Sequence, residues 1–165
     1  MNRREGLSVN GFKAALARFP SGVTIVTTRA ADGTPHGFTA SAFCSVSLDP
    51  PLVCVCVAHS ARCHPVFAQR DEFAVNFLRP EHADLAMRFA SKEEDKFAGG
   101  PFRHDDPRLV FVEDALASLE CVVHSRYEVG DHTMLVGEVR RAEVAPGEPL
   151  VFYNRAFHRV AEPGS

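Results

Sequence analysis

The chain has 165 residues, a length that suits one domain and allows a real core without metal or disulfide staples. Hydrophobic residues make up 45% and charged residues 24%, and the net charge of −3 argues against a general nucleic-acid or membrane-surface role, which needs a basic face. No apolar run approaches the roughly 18 residues of a membrane span, and MNRREGLSVNGF has no apolar leader core, so the cytoplasm is the expected location.

In chain order, Ser8 is placed to cap a first helix. Phe12, Ala15, Leu16 and Phe19 recur at helical spacing, and Pro20 stops it. SGVTIVTTRA is β-branched and predicts a strand; Ala31-Asp32-Gly33 is a hairpin turn, with Thr34 to Phe43 returning. Leu52 to Val57 is a continuous apolar run, the pattern of a buried strand. A short helix is expected over His59 to Gln69, capped by Ser60 and disturbed by Pro65. Glu72 to Leu78 predicts a strand and PEHADLAMRFAS a helix with Leu85, Ala86 and Phe89 on one face.

Lys92 to Arg108, rich in charge, Gly and Pro, is expected to be an irregular surface cover. Strands then follow: LVFV, ALASLECVVHSRYEV, a Gly130-Asp131 turn, HTMLVGEVRRAEV, PLVFYN and AFHRV. Many short strands with few helices indicate a mainly β, closed or nearly closed antiparallel barrel, a single domain over 1–165 with its core at about 12–160.

The chemistry-bearing residues are sparse. Five cysteines form no CxxC pair, so reduced thiols are expected, and Cys54 and Cys56 read as core packing. His59, Cys63 and His64 miss the usual zinc spacings, and no nucleophile elbow, P-loop or Rossmann fingerprint occurs. The small residues Thr39, Ala40, Ser41 and Ala42 instead let a flat, polar-edged ligand lie against the backbone. Ser60 and Arg62 offer an anion site at a helix start, the alternative being a plain cap and a solvated side chain. Asn76, between Val75 and Phe77, must satisfy its amide with protein or with a ligand. Lys96 and Phe97 join a cation to an aromatic ring in a charged loop, and His132 opens a long strand after a turn.

FPSGVTIVTT, GFTASAFCSVSLDPPLVCVCV, FAVNFL, the DKF loop, LASLEC, GDH and PLVFYNRAF, in that order, resemble the flavin reductase-like family, the small reductase components of two-component flavin-dependent monooxygenases. The resemblance spans about Phe12 to Val160. It implies an FMN-binding split β-barrel of Greek-key type, a homodimer that binds FMN or FAD near the subunit interface. It also implies hydride transfer from NADH or NADPH to flavin, with reduced flavin passed to a partner oxygenase. Carried over by motif, Thr39 to Ala42 would follow the isoalloxazine edge, and Ser47, Ser60 and Arg62 the ribityl-phosphate side. Asn76, Lys96 and Phe97 would line the pocket, His132 would lie near the nicotinamide, and Tyr153 and Arg155 would sit on the rim. Many relatives resemble TASSF where this chain has TASAF, so Ala42 lacks one hydroxyl. Two other readings fit the same segment: an oxidase or electron-transfer protein that keeps its flavin, and a non-catalytic flavin-binding module.

Overall fold

A computed structural model describes residues 6–161 and 163–164. The strands are β1 (Ser21–Gly22), β2 (Thr24–Arg29), β3 (Pro35–Ala40), β4 (Phe43–Leu48), β5 (Pro51–Ala58), β6 (Glu72–Phe77), β7 (Phe102–Arg103), β8 (Phe111–Val112), β9 (Ala117–Val129), β10 (His132–Val144), β11 (Leu150–Tyr153) and β12 (Ala156–Arg159). The helices are α1 (Val9–Leu16), α2 (His64–Phe67) and α3 (Ala83–Ala90), the last entered through a 3₁₀ turn at Pro80–His82.

Seven strands pair in the order β3-β2-β6-β9-β10-β5-β4, all antiparallel where they meet. The sheet curls so that β3 approaches β5, giving the split barrel, while β1-β11-β12 and β7-β8 form small flanking sheets. Val26, Val55, Val57, Phe67, Phe73, Val75 and Leu135 fill the barrel. A second core under α3 gathers Ile25, Leu78, Leu85, Phe89, Phe102 and Val110. Strand β2 is buried on both faces because it lies between these cores. Its buried threonines are satisfied: the Thr24, Thr27 and Thr28 hydroxyls donate to the carbonyls of Ala40 at 2.9 Å, Val110 at 2.6 Å and Glu72 at 2.7 Å.

Three sequence expectations need correction. The strand expected over Thr34 to Phe43 breaks at Ser41 and Ala42, because β3 and β4 belong to opposite edges of the large sheet. The helix expected over His59 to Gln69 shrinks to α2, since the chain first makes turns closed by Ala61 N–H to Ala58 O and His64 N–H to Ala61 O. Ser60 therefore caps nothing; the residue before α2 is Cys63, without a side-chain cap. Cys54 is buried, yet it and Cys56 point away from the Val53, Val55, Val57 face, as strand alternation requires, and so lie outside the barrel core. Helix α1 starts as expected, with Ser8 Oγ accepting the Gly11 N–H at 2.9 Å, but none of its residues is buried.

His82 closes the entry to α3 by accepting the Arg79 N–H on Nδ1 at 3.0 Å, which requires that nitrogen to be unprotonated. Burial holds its pKa below the ordinary 6.5. The unfolded chain takes up that proton first as pH falls, so the His82 contribution is complete above about pH 6.5 and is lost as pH drops through the folded pKa. Thermal unfolding from pH 7 to pH 5 is expected to show a smaller fall in Tm for His82→Gln, which keeps an acceptor; an identical fall in both proteins sinks this assignment.

Candidate flavin and nicotinamide site

The expected shelf divides once it is folded. Gly37 is small because α3 packs on it: an added Cβ would lie 2.9 Å from the Val26 carbonyl and 3.0 Å from the Phe89 ring. Ala40 is buried, and the Thr39 hydroxyl donates to the Ala86 carbonyl of α3 at 2.6 Å. Packing thus explains three of the small residues. Ser41 and Ala42, exposed in the link between β3 and β4, present the open edge.

Ser41 lies between two cavities. One, of about 700 Å³, has a mostly apolar wall from Leu16, Phe19, Phe43, Cys44, Cys54, Cys56, Met134 and Phe152, with Lys13 and Arg155 as its cations. The other, of about 660 Å³, lies between α3 and the β11–β12 hairpin, with Thr39, Met87, Phe152, Arg155 and Phe157 in its lining. Arg155 borders both, carried at the hairpin tip where Asn154 and Arg155 adopt φ of 51° and 62°. Tyr153 lines neither; the neighbouring Phe152 does.

A third cavity, of about 590 Å³, opens beside the other end of β3, with His36, Gly37, Arg62, Cys63, Lys96 and Phe97 in its wall. From Gly37 to Ser41 the strand runs roughly 13 Å. Among the described residues, the backbone N–H groups of Ser60, Arg62 and Cys63 have no protein acceptor, so the turn between β5 and α2 presents free donors beside two cations. Lys96 is half-buried and donates to the Phe89 carbonyl at 3.0 Å. Burial lowers its pKa first, the Cys63 thiolate form opposes this, and the nearby Arg62 charge lowers it further. Among the described residues Arg62 pairs only with Glu94, at 3.6 Å, with both side chains largely in water, a pairing that an incoming anion can displace. The donor set fits a phosphate or pyrophosphate ester.

His132 faces Ala58 across the β10–β5 ladder and shares a strand face with Met134 two residues on. It thereby stands between the apolar cavity and the Ser60 turn. Its Nδ1 lies 2.7 Å from Asp131 Oδ1. Glu128, on β9, accepts the Thr133 hydroxyl at 2.9 Å and His59 Nε2 at 2.5 Å. These two bonds, the Thr133 bond foremost, hold its carboxyl below the usual range.

Besides Tyr153, two expected site residues lie elsewhere. Asn76 is 0% exposed and wholly engaged by protein: its Nδ2 donates to Ile25 O at 2.9 Å and to Thr27 Oγ1 at 3.4 Å. Its Oδ1 accepts Val112 N–H at 3.0 Å and the Ser118 hydroxyl at 3.3 Å. It is a strut between the strands, not a pocket wall. Ser47 pairs with Leu52, at the far end of β5 from Ala58, so roughly 20 Å of strand separates it from the Ser60 turn. Phe97 lines the third cavity but spends a face on Phe89 and Phe102, with ring centroids 4.9 and 4.7 Å away. Phe152 and Met134 line the candidate cavities without having been picked out in the sequence, and neither carries a local signal.

Residues 16–161 match the family described as flavin reductase like domain. The actinorhodin polyketide dimerase of Streptomyces coelicolor is 51% identical over 144 residues, covering 87% of this chain and 81% of that protein. The NADH:riboflavin 5'-phosphate oxidoreductase of Streptomyces pristinaespiralis is 38% identical over 159 residues, covering 94% and 90%. The solved structure of a Streptomyces globisporus NADH:FAD oxidoreductase in complex with NAD and FAD fragments superposes with a TM-score of 0.87 at 35% identity, covering 94% of each chain. The chain belongs to the flavin reductase-like family.

Proposed function

We propose that the chain is an NAD(P)H-dependent flavin reductase that transfers a hydride to FMN or FAD and supplies the reduced flavin to a partner monooxygenase. The carrying observation is the Ser60–Cys63 turn, whose free N–H groups and the Arg62 and Lys96 cations lie one strand length from the open edge at Ser41 and Ala42. Relatives named for NADH support NADH as the donor, and those named reductase subunits of flavin-dependent monooxygenases support the oxygenase partner.

When bound, the flavin supplies the electron chemistry, and the protein supplies grip and orientation. Arg62, Lys96 and the turn hold the phosphate side. Ser41 and the backbone of the link border the ring, with Arg155 as the cation that lines both adjoining cavities. His132, braced by Asp131, positions the nicotinamide at the apolar wall of Cys56 and Met134, which keeps water away from the reacting pair. No strong acid or base is needed. A steady-state assay crossing NADH and NADPH with FMN, FAD and riboflavin tests the reading. Oxidation of the nicotinamide that requires added flavin and turns over many times is expected; no oxidation with any pair, or tightly retained flavin, overturns it.

The polyketide dimerase relative favours a second reading, that this chain itself acts on a polyketide. It predicts that nicotinamide oxidation depends on an added polyketide and not on flavin alone. The working form is a homodimer: α1 and the turn after it leave Phe12, Leu16 and Phe19 exposed, and the edge strand β4 leaves Val46 and Leu48 exposed beside unpaired backbone. Light scattering should give a mass near twice 18.1 kDa; a monomer at micromolar concentration counts against it.

A further inference from the structure

The Ser60–Cys63 turn is held shut at its base by one side chain from a distant strand. His59 precedes the turn and His64 follows it, and their rings meet edge to face with centroids 5.1 Å apart. Both histidines lead to Glu128. Its Oε2 lies 2.5 Å from His59 Nε2. Its Oε1 accepts the hydroxyl proton of Thr133, the cross-strand partner of Glu128, at 2.9 Å. With its only proton committed there, Thr133 Oγ1 accepts from His64 Nε2 at 2.8 Å. Thr133 is 1% exposed, so the His64 branch is anchored inside the barrel, while the backbone of His59 is tied to the Asp131 carbonyl at 2.9 Å.

The turn therefore needs more than its own sequence to hold its N–H groups together. AHSARCHP contains no acid that can brace its two histidines, and the local bonds, Ala61 N–H to Ala58 O and His64 N–H to Ala61 O, leave both imidazoles unanchored. A single carboxylate with two oxygens spans both ends. Donors fixed before binding cost less ordering when the anion arrives, and that saving falls on the phosphate and not on the ring.

We infer that Glu128 is a positioning residue for flavin phosphate, setting the preference for FMN over riboflavin by clamping His59 and His64 at the two ends of the phosphate turn. The inference rests on the reading that this turn receives the flavin phosphate. Glu128 touches neither flavin nor nicotinamide in this role; it acts through the turn.

The test compares kcat/KM for FMN with kcat/KM for riboflavin in Glu128→Ala, Glu128→Gln and Arg62→Ala. In Glu128→Ala the FMN-to-riboflavin ratio is expected to fall about tenfold, chiefly through KM for FMN. Glu128→Gln keeps an acceptor for Thr133 and should recover part of the ratio. A ratio equal to that of the parent protein in Glu128→Ala overturns the inference. So does a matched loss with both flavins, which is what general loosening of the β9–β10 end would give. Arg62→Ala separates the two claims: if it too leaves the ratio unaltered, the phosphate is not held at this turn, and the underlying reading has failed first.

Discussion

Asn76→Ala is expected to cost about 4 kcal/mol of stability, a fall in Tm of roughly 10 °C for a chain of this size. The side chain is fully buried and uses both ends of its amide. Removing it strands the Val112 N–H and the Ser118 hydroxyl in a water-free interior and takes one of the bonds accepted by the Ile25 carbonyl, and each orphan costs about 1–3 kcal/mol. Because Val112 belongs to β8 and Ile25 to β2, the loss also uncouples a small flanking sheet from the barrel wall. Circular dichroism melts measure the effect. Well below the transition, the KM for flavin should stay close to that of the parent protein, since the amide reaches no cavity. A Tm within about 2 °C of the parent defeats the strut assignment; an intact Tm with weakened flavin binding would return Asn76 to the pocket.

Arg62→Ala is the complementary case, large in binding and small in stability. Among the described residues its only ion pair is the water-exposed contact with Glu94, which is worth little. A charge-assisted contact to a phosphate is worth about 1.5–3 kcal/mol, so the Kd for FMN should rise roughly 10- to 100-fold. Riboflavin, without the phosphate, should bind as before. Arg62→Lys should fall between, since an ammonium keeps the charge but not the planar fork. Fluorescence titration of both flavins is sufficient, and an unaltered FMN Kd in Arg62→Ala removes the phosphate from this turn.

Much of the fold is legible in the sequence because it is local. The β-branched TIVTTR, the apolar PLVCVCVA and the Ser8 cap announce themselves, and Leu85, Ala86 and Phe89 share the buried face of α3 as their spacing requires. What is not local is not legible. No residue near Ser41 signals that the strand stops there, because small and apolar side chains suit both β3 and β4; the break follows from their going to opposite sheet edges. His59 to Gln69 looked helical from Ser60 and its length, but Pro65 and the turns before it leave four residues of helix. The candidate site divides the same way. Ser60 and Arg62 stand out as a hydroxyl and a cation after a buried strand, whereas the bond from His59 to Glu128 joins residues 69 apart. Asn76 was visible as a buried amide with two solutions, and only the fold selects the protein one.

The two-residue link at Ser41 and Ala42 also sets what length changes the molecule can absorb. Strand faces alternate with period two, and β4 puts Phe43 toward the barrel and Cys44 outward, up to a bulge between Ser45 and Ser47. One residue added to so short a link has no loop in which to be lost. It would pass into β4 and exchange its faces, sending Cys44 inward and Phe43 out. The segment from Lys92 to Arg108, anchored to the core by Phe97 and Phe102 but otherwise on the surface, carries no such parity. Insertions that diversify this scaffold belong there, while the link at Ser41 works as a reading frame that the barrel keeps.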